Sequence, residues 1–229
     1  MAITYYPHIL QNTPEWLALR CGVLTASEIP RIITPAKLQY AASEKEKTHV
    51  MEIAAQRITK YVEPIYQSFD MMRGQEDEAI AKNLYHENYA PITDMGFVTN
   101  DKWGYTLGWS PDALVGDDGF LECKSRLQKY QLETIIKDKR PDDFLIQNQA
   151  QFLISERQWC DFISFCGGMY MLTLRVYPDE KVMKAIEEVS AGFEARVASV
   201  LQEYEDRINQ PNARLIMTER PNRDEDIRV

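Results

Sequence analysis

A strand-rich stretch over residues 96–125, set between stretches of helical periodicity, is the feature that most limits the possible folds of this sequence. Aromatic, β-branched and glycine residues crowd this stretch, which is typical of several short strands joined by turns. The residues on both sides repeat their apolar side chains with a helical period instead. A sheet between helices buries its faces against them. The order of elements therefore predicts an α/β (α+β) fold with a central mixed β-sheet flanked by helices.

Capping signals mark where several of these helices begin. Thr13 precedes Pro14, which predicts an N-cap and the first residue of a short helix. Capping boxes at Thr25-Ala26-Ser27-Glu28 and at Ser43-Glu44-Lys45-Glu46 predict two more helices. Pro30 would lie inside the first of these two and could kink it or end it early.

Further elements follow from periodicity along the rest of the chain. Apolar residues after Asp179 recur at steps of three and four up to Ile208, which predicts a long final helix. Gly167-Gly168 predicts a two-residue turn between two strands. The other expected elements are helices over residues 74–89, 128–137 and 142–155, and strands over residues 159–166 and 169–177.

The chain is long enough to form one core without disulfide staples. It has 229 residues, of which 45% are hydrophobic, and these values are ordinary for a globular protein. We find no repeat, low-complexity segment or interdomain linker that would divide it. We therefore expect a single domain with an N-terminal helical part, a core, a C-terminal helix and a tail, at residues 1–70, 71–178, 179–210 and 211–229.

The charge balance limits the partners of the protein. With 26 Lys and Arg against 35 Asp and Glu, the net charge of −9 disfavours binding to nucleic acid or anionic membranes by bulk charge, but it permits a local basic channel. The four cysteines form no C-x-x-C pair, and the first residues lack the features of a secretory signal. No segment approaches the length of a membrane span. These features predict a reduced, cytoplasmic protein without membrane association.

Charged residues with a distinctive spacing follow the first strands. Ser110-Pro111-Asp112 precedes a Gly-Asp-Asp-Gly turn, and Glu122-Cys123-Lys124 follows that turn. Alternate side chains of a strand share a face, so Glu122 and Lys124 would point to one side and Cys123 to the other. Asp112 could reach the same point if the two strands pair.

Carboxylates that converge on one point repel each other unless a cation neutralises them. Mg²⁺ is the natural cation for oxygen ligands, and it can polarise a phosphodiester and activate water. Lys124 could orient the attacking water or neutralise charge in the transition state. The alternative is an exposed strand with Glu122 and Lys124 on its solvent face, because Glu-x-Lys is common by chance where 27% of residues are charged.

Four segments, in this order and spacing, resemble the PD-(D/E)xK nuclease superfamily. More narrowly, the sequence resembles the λ-exonuclease (YqaJ-type viral recombinase) family of phage alkaline exonucleases. The segments are residues 15–28 with the Trp, Arg, Gly and Thr-Ala-Ser-Glu pattern, Gly74-Gln75-Glu76-Asp77-Glu78-Ala79-Ile80-Ala81, Ser110-Pro111-Asp112 with Glu122-Cys123-Lys124, and Gln149-Ala150-Gln151-Phe152. Two positions depart from the family pattern: Ala113 replaces a frequent Gly, and Phe152 lacks the hydroxyl of a frequent Tyr.

The resemblance implies a restriction-endonuclease-like core and a Mg²⁺-dependent 5′-to-3′ exonuclease, with Mn²⁺ as a possible substitute. Such an enzyme digests linear double-stranded DNA to mononucleotides and leaves a 3′ single-stranded overhang. The resemblance also implies a ring-shaped homotrimer that works with a single-strand annealing recombinase protein in phage recombination. For a phage-encoded protein, the location would be the cytoplasm of the host cell.

The resemblance assigns roles to individual residues. The family register selects Glu78 rather than Glu76 as the metal-site acid. Gln149 would position the water or the catalytic lysine, and the alternative is a solvated helix residue. One or two Mg²⁺ ions would be held by Glu78, Asp112, Glu122 and the Cys123 carbonyl, and Lys124 would assist the attacking water.

Two further groups of residues would contact DNA. By resemblance, Arg20, Ser27 and Ser110 form a pocket for a terminal 5′-phosphate, which suits an arginine fork and a helix N-terminus at Ser27. The alternative is that Arg20 and Ser27 only satisfy the ends of their helices. Met71 and Met72 could form an apolar wedge that frays the duplex end, and the alternative is that they are core methionines.

Two other functions remain open from the sequence. One is a structure-specific or nicking endonuclease of the same superfamily. The other is a non-catalytic DNA-end binding protein built on a nuclease scaffold, although the retained acidic residues and Lys124 argue against it.

Overall fold

A computed structural model describes residues 3–64 and 67–220 of the chain. The helices are α1 (Pro14–Arg20), α2 (Glu44–Thr59), α3 (Phe69–Asn88), α4 (Gln128–Lys137), α5 (Leu145–Ser155) and α6 (Glu180–Ile208). The strands are β1 (Ile3–Tyr6), β2 (Leu24–Thr25), β3 (Ile33–Thr34), β4 (Gln39–Tyr40), β5 (Phe97–Asn100), β6 (Leu107–Trp109), β7 (Ala113–Val115), β8 (Gly119–Ser125), β9 (Trp159–Phe165) and β10 (Leu172–Val176). Short 3₁₀ helices span Ile29–Arg31 and Asp142–Phe144.

The predicted α/β fold is confirmed, but the strands form two four-stranded sheets rather than one central sheet. Their orders are β1-β5-β6-β2 and β10-β9-β8-β7, and β3 and β4 form a separate pair. Each large sheet is mixed, because β2 runs parallel to β6 and β8 runs parallel to β9. The chain passes from the first sheet to the second between β6 and β7, through Ser110-Pro111-Asp112.

Strand β8 separates two apolar clusters by its period of two. Phe120 belongs to the larger cluster, where its ring centroid lies 5.0 Å from that of Phe152 on α5. The neighbouring positions along β8 face α3 instead. The side chains that pack there include Leu121, Cys123, Ala81 and Tyr85. The strand that carries the predicted charged residues is therefore anchored on both faces.

The capping signals at Thr13 and Ser43 identify two helix starts correctly, and the last helix begins where its apolar periodicity predicts. The Thr13 hydroxyl accepts from the Trp16 amide at 3.3 Å and caps α1. The Ser43 hydroxyl caps α2 in the same way, and Asp179 caps α6. Helix α3 begins five residues before the predicted start, because Ser68 supplies its N-cap.

The predicted helix after Thr25 is wrong. One hydrogen bond of the capping box forms, since the Thr25 amide donates to the Glu28 carboxylate at 3.3 Å. However, the amide of Ala26 donates to the carbonyl of Gly108 at 2.8 Å, which continues the pairing of β2 with β6. Sheet pairing therefore takes the residues that would have opened the helix, and a 3₁₀ turn with Pro30 at its start replaces it.

The predicted two-residue hairpin at Gly167-Gly168 is also wrong. The β9–β10 ladder ends at the pair Ser164 and Leu172, so a longer connection joins the strands. The Met169 amide donates to the Cys166 carbonyl at 3.1 Å, which makes a turn outside the ladder. The predicted helix over residues 142–155 is divided into a 3₁₀ turn and α5, and β1 has no counterpart among the sequence predictions.

Two remaining expectations concern the chain as a whole. No helix within the described residues is both long and apolar enough to cross a bilayer. The predicted tail, residues 211–229, lies partly outside the described residues, and its described portion has no regular secondary structure beyond a turn. The division of the chain into one domain with four parts stays a prediction.

A buried carboxylate joins α3 to the second sheet. Asp161 on β9 is 4% exposed and accepts the Tyr85 hydroxyl of α3 at 2.6 Å. Arg175 on β10 donates two further hydrogen bonds to it, both at 2.8 Å, and lies over the Trp159 ring. A buried carboxylate needs such partners because desolvation otherwise disfavours its charge.

We expect Asp161→Ala to lower the free energy of unfolding by about 3 kcal/mol, since it leaves the Tyr85 hydroxyl buried without an acceptor. Tyr85→Phe should cost about 1 kcal/mol, because it removes only one hydrogen bond. Urea unfolding followed by circular dichroism measures both. Glu133→Ala, which breaks an exposed pair with Lys137, is the control and should stay close to wild type. Equal effects of Asp161→Ala and the control would contradict this role.

Candidate active site

Glu122 and Lys124 lie on the same face of β8, as predicted from the strand period. The Lys124 ammonium contacts the Glu122 carboxylate directly. Glu122 is only 1% exposed and lies in the interior, whereas a quarter of the Lys124 side chain is exposed. The alternative of a solvent-exposed strand face is therefore wrong for Glu122.

Two glutamines of α5 hold the Glu122 carboxylate from the other side. Gln147 Nε2 donates to Glu122 Oε1 at 2.7 Å, and Gln151 Nε2 donates to Oε2 at 2.5 Å. Residues four apart share one helix face, which lets both amides reach the same carboxylate. Each oxygen of this buried acid is thus satisfied and its orientation is fixed.

The structure does not bring Gln149 to Glu122. Gln149 is two residues from each of these glutamines, so its side chain leaves α5 in a different direction. Its Nε2 donates to the Tyr177 carbonyl at 3.0 Å, and its Oε1 accepts from the Asp179 amide at 2.7 Å. Gln149 therefore fixes the start of α6. The sequence analysis missed the roles of Gln147 and Gln151. Their spacing of four residues, which places two amides on one helix face, could have indicated them.

Asp112 reaches the same site from the segment before β7. Its Oδ2 accepts from the Cys123 amide at 2.5 Å, so the carboxylate lies against the backbone of β8. Burial raises the pKa of the Asp112 carboxyl well above its usual value, and the charges of Glu122 and Glu78 raise it further. The Lys124 charge and the Cys123 hydrogen bond act in the opposite direction.

Glu78 on α3 completes the group of acids. Burial raises the pKa of its carboxyl, Lys82 opposes this shift, and the charge of Glu122 adds to it. A cleft of about 380 Å³ is lined by both Glu78 and Asp112, together with the Lys82–Asp94 ion pair. The structure thus brings Glu78, Asp112, Glu122 and Lys124 together.

The donor set suits a hard divalent cation. The charge of Glu122 helps to raise the pKa values of the Glu78 and Asp112 carboxyls, which indicates negative charge that a cation would neutralise. Within residues 3–64 and 67–220, no three Asp, Glu, His or Cys side chains converge closely enough to hold an ion alone. Mg²⁺ commonly takes one or two carboxylates and completes its shell with water and substrate phosphate oxygens. The residues present therefore fit such an ion together with substrate.

The protonation of Lys124 follows from its neighbours. Burial alone would lower the pKa of its ammonium, but the charges of Glu122 and Asp112 raise the pKa above its usual value overall. Lys124 therefore stays protonated at neutral pH. In this state it can supply positive charge and hydrogen bonds.

The structure also brings Arg20 and Ser110 into contact. Arg20 Nη1 donates to the Ser110 hydroxyl at 3.3 Å, and the Trp16 indole donates to the same hydroxyl at 3.0 Å. The guanidinium lies over the Trp16 ring, with 4.5 Å between Arg20 Cζ and the ring centroid. Burial lowers the pKa of Arg20, and Glu28 opposes this shift. Trp16 thus positions the guanidinium, a role the sequence did not indicate.

Ser27 joins this group through one intermediate hydroxyl. Arg20 Nη2 donates to Thr25 Oγ1 at 3.4 Å, and that oxygen lies 3.2 Å from the Ser27 hydroxyl. Ser27 is exposed, and the element after it is a three-residue 3₁₀ turn. The predicted helix N-terminus at Ser27 is therefore wrong. The guanidinium and the hydroxyls still form a polar group that could bind an anion.

Met71 and Met72 are not core residues. They lie in the first turn of α3 and are 44% and 46% exposed, and the preceding Phe69 is 88% exposed. The alternative of buried methionines is therefore wrong. An apolar surface precedes Glu78 on the same helix, and its action as a wedge stays a prediction.

Comparison with known proteins is consistent with this geometry. Residues 15–158 match the YqaJ-like viral recombinase domain. This range includes Arg20, Ser110, Glu78, Lys124 and both glutamines of α5. No curated protein matched the sequence significantly.

Solved structures extend the similarity to most of the chain. An alkaline exonuclease (LHK-Exo) from Laribacter hongkongensis is 28% identical with a TM-score of 0.75, over 86% of this chain and 98% of that one. The same enzyme in complex with dAMP gives a TM-score of 0.76 with equal identity and coverage. A phage-related exonuclease from Haemophilus somnus 129PT, 12% identical with a TM-score of 0.57 over 80% of this chain and 96% of that one, shares the fold. The chain belongs to the YqaJ-like viral recombinase family.

Proposed function

We propose that this protein is a divalent-metal-dependent exonuclease that digests linear double-stranded DNA from its 5′ ends. The products would be mononucleotides and a 3′ single-stranded overhang. The observation that carries the proposal is the Glu122 carboxylate, held by Lys124 and two glutamines beside Asp112. Family membership and the 28% identical alkaline exonuclease support the deoxyribonuclease class.

The residues of this chain would divide the chemistry among them. Mg²⁺, or Mn²⁺ in its place, would supply polarisation of the phosphodiester and activation of water. Protonated Lys124 would neutralise charge that develops on the phosphate, or orient the attacking water. Gln147 and Gln151 would hold Glu122 in one orientation. The metal ligands would be Glu78, Asp112, Glu122 and the Cys123 carbonyl.

The direction of digestion would come from the group formed by Arg20, Ser27 and Ser110. Their guanidinium and hydroxyl groups can bind the oxygens of a terminal phosphate. Arg20 is partly desolvated and stacked on Trp16, which strengthens its charge-assisted hydrogen bonds and limits its motion. Capture of the 5′-phosphate would present the adjacent phosphodiester to the carboxylates.

The assembly and the recombination partner are part of the proposal. The viral recombinase family supports a role in recombination. In the proposed role, a single-strand annealing protein would act on the 3′ overhang. A homotrimeric ring would confine DNA contacts to a central channel and leave the acidic residues of a chain with net charge −9 on outer surfaces. Native mass measurement should give a trimer, and a monomer alone under assay conditions would contradict the ring.

The activity itself is tested with end-labelled linear duplexes. With Mg²⁺, we expect the 5′ label to be released as a mononucleotide before the 3′ label, and EDTA should stop the reaction. Covalently closed circles should remain intact. Cleavage of circles would favour the endonuclease alternative, and end binding without any cleavage would favour the non-catalytic alternative.

The assignment of the catalytic group is tested by Lys124→Ala and Glu122→Gln. Each should reduce the cleavage rate by at least about 10²–10³-fold, because Lys124→Ala removes a positive charge beside the reacting phosphate and Glu122→Gln removes a charged metal ligand. DNA-end binding, measured by fluorescence anisotropy, should persist. Lys102→Ala removes an exposed lysine paired with Glu156 and serves as the control. A wild-type cleavage rate in either active-site variant would contradict the assignment.

The phosphate pocket is tested by Arg20→Ala. The variant should lose most of the preference for 5′-phosphorylated over 5′-hydroxyl ends, because the neutral end makes no ion pair with Arg20 in the wild type. Arg31→Ala, which breaks an ion pair with Glu52, is the control. The ratio of initial rates on the two substrates is the measurement, and an unchanged ratio in Arg20→Ala would remove the pocket.

A further inference from the structure

A second cleft lies beside α4, apart from the cleft that Glu78 and Asp112 line. It encloses about 450 Å³ and is called the α4 cleft here. The whole chain is acidic, but four cations line this cleft: Arg126, Lys137, Lys139 and Arg140. Three acids also line it, and two of them are paired: Glu133 with Lys137 at 2.5 Å and Asp142 with Lys139 at 2.9 Å.

Arg126 lines this cleft and lies close to two aromatic rings. Its Cζ lies 5.2 Å from the centroid of Tyr130 and 5.3 Å from that of Phe144. The backbone amide of Arg126 donates to the Phe165 carbonyl at 2.7 Å, which fixes the base of the side chain. The Nε atom is buried and has no hydrogen-bond partner among the described residues.

Arg140 lines the same cleft and also carries a buried donor without a hydrogen-bond partner among the described residues. This donor is its Nη1 atom. Burial lowers the pKa of this guanidinium, and the nearby Asp142 opposes the shift. Neither Arg126 nor Arg140 forms an ion pair with any described residue. Buried donors on two cations without carboxylate partners favour an anionic ligand.

The α4 cleft adjoins the catalytic lysine through one shared ring. Lys124 Nζ lies 5.5 Å from the centroid of Phe144, the ring that Arg126 also contacts. Tyr130 is 42% exposed, and Lys129 Nζ lies 4.7 Å from its centroid. An exposed aromatic ring flanked by cations is a stacking platform for an unpaired base.

We propose that the α4 cleft binds one deoxynucleotide unit, with Arg126 and Arg140 on its phosphate and Tyr130 stacked on its base. The unit has two possible sources with the same chemistry: the DNA strand next to the scissile phosphate, or the released mononucleotide. This inference rests on the proposed nuclease function, because it requires a DNA strand at Lys124.

The test compares the double variant Arg126→Gln/Arg140→Gln with the charge-matched control Arg207→Gln/Arg214→Gln. The control removes two exposed arginines at and beyond the end of α6. In cleavage of linear duplex, the test variant should raise KM by about tenfold and change kcat by less than about twofold. A plot of the logarithm of its affinity for a single strand against the logarithm of the salt concentration should be less steep, by about 0.7 for each phosphate contact that is lost.

Two binding measurements without metal distinguish a bound DNA strand from a bound mononucleotide. One measures a 5′-phosphorylated single-stranded oligonucleotide by anisotropy, and the other measures dAMP by calorimetry. Loss of about tenfold affinity in the oligonucleotide arm alone identifies the strand, whereas loss in both arms includes the mononucleotide. Affinities equal to the control in both arms, together with an unchanged KM, would overturn the proposal.

Tyr130→Leu keeps the test valid if the double variant unfolds. Tyr130 is exposed, so the substitution should leave the thermal midpoint unchanged and weaken oligonucleotide binding by at least about fivefold. Wild-type binding by this variant would remove the stacking contact and overturn the proposal. A wild-type protein that cleaves no DNA would instead overturn the proposed function, and the dAMP arm would then decide the α4 cleft separately.

Discussion

The candidate site depends on holding one carboxylate inside the protein. Glu122 is almost fully buried, and an isolated charge there would be strongly unfavourable. Two amides of α5 and the ammonium of Lys124 compensate the lost hydration. The same contacts tie α5 to β8, so the position of this helix relative to the sheet and the electrostatics of the site are determined together.

Strand β8 explains why core and site are so closely connected. One face carries Phe120, Glu122 and Lys124, and the other carries Leu121 and Cys123 against α3. A shift of register by one residue would exchange these faces and move the charges into an apolar cluster. Parallel pairing with β9 and antiparallel pairing with β7 on the two sides prevent such a shift. The second sheet therefore specifies the site as well as the core.

Local signals predicted much of the fold and the centre of the site. Caps at Thr13 and Ser43 and the period of β8 act within a few residues, so they can be recognised without the tertiary structure. The failures come from distant partners: Ala26 pairs with Gly108, which replaces the helix expected after Thr25. Gln149 was selected from a motif, whereas the contacts to Glu122 depend on how α5 packs on β8. The division into two sheets likewise depends on pairing between distant strands.

Pro111 limits the distance between two residues of the proposed site. It is the only residue between Ser110, in the proposed phosphate pocket, and Asp112, among the acids, so the Cα atoms of these two residues are at most about 7 Å apart. The proline ring restricts the backbone, and the Pro111 carbonyl accepts from Gln11 at 2.8 Å. The backbone positions of Ser110 and Asp112 therefore stay close together. Under the proposed function, this short segment would hold a residue of the phosphate pocket beside a residue of the metal site, which would favour release of one nucleotide at each cut.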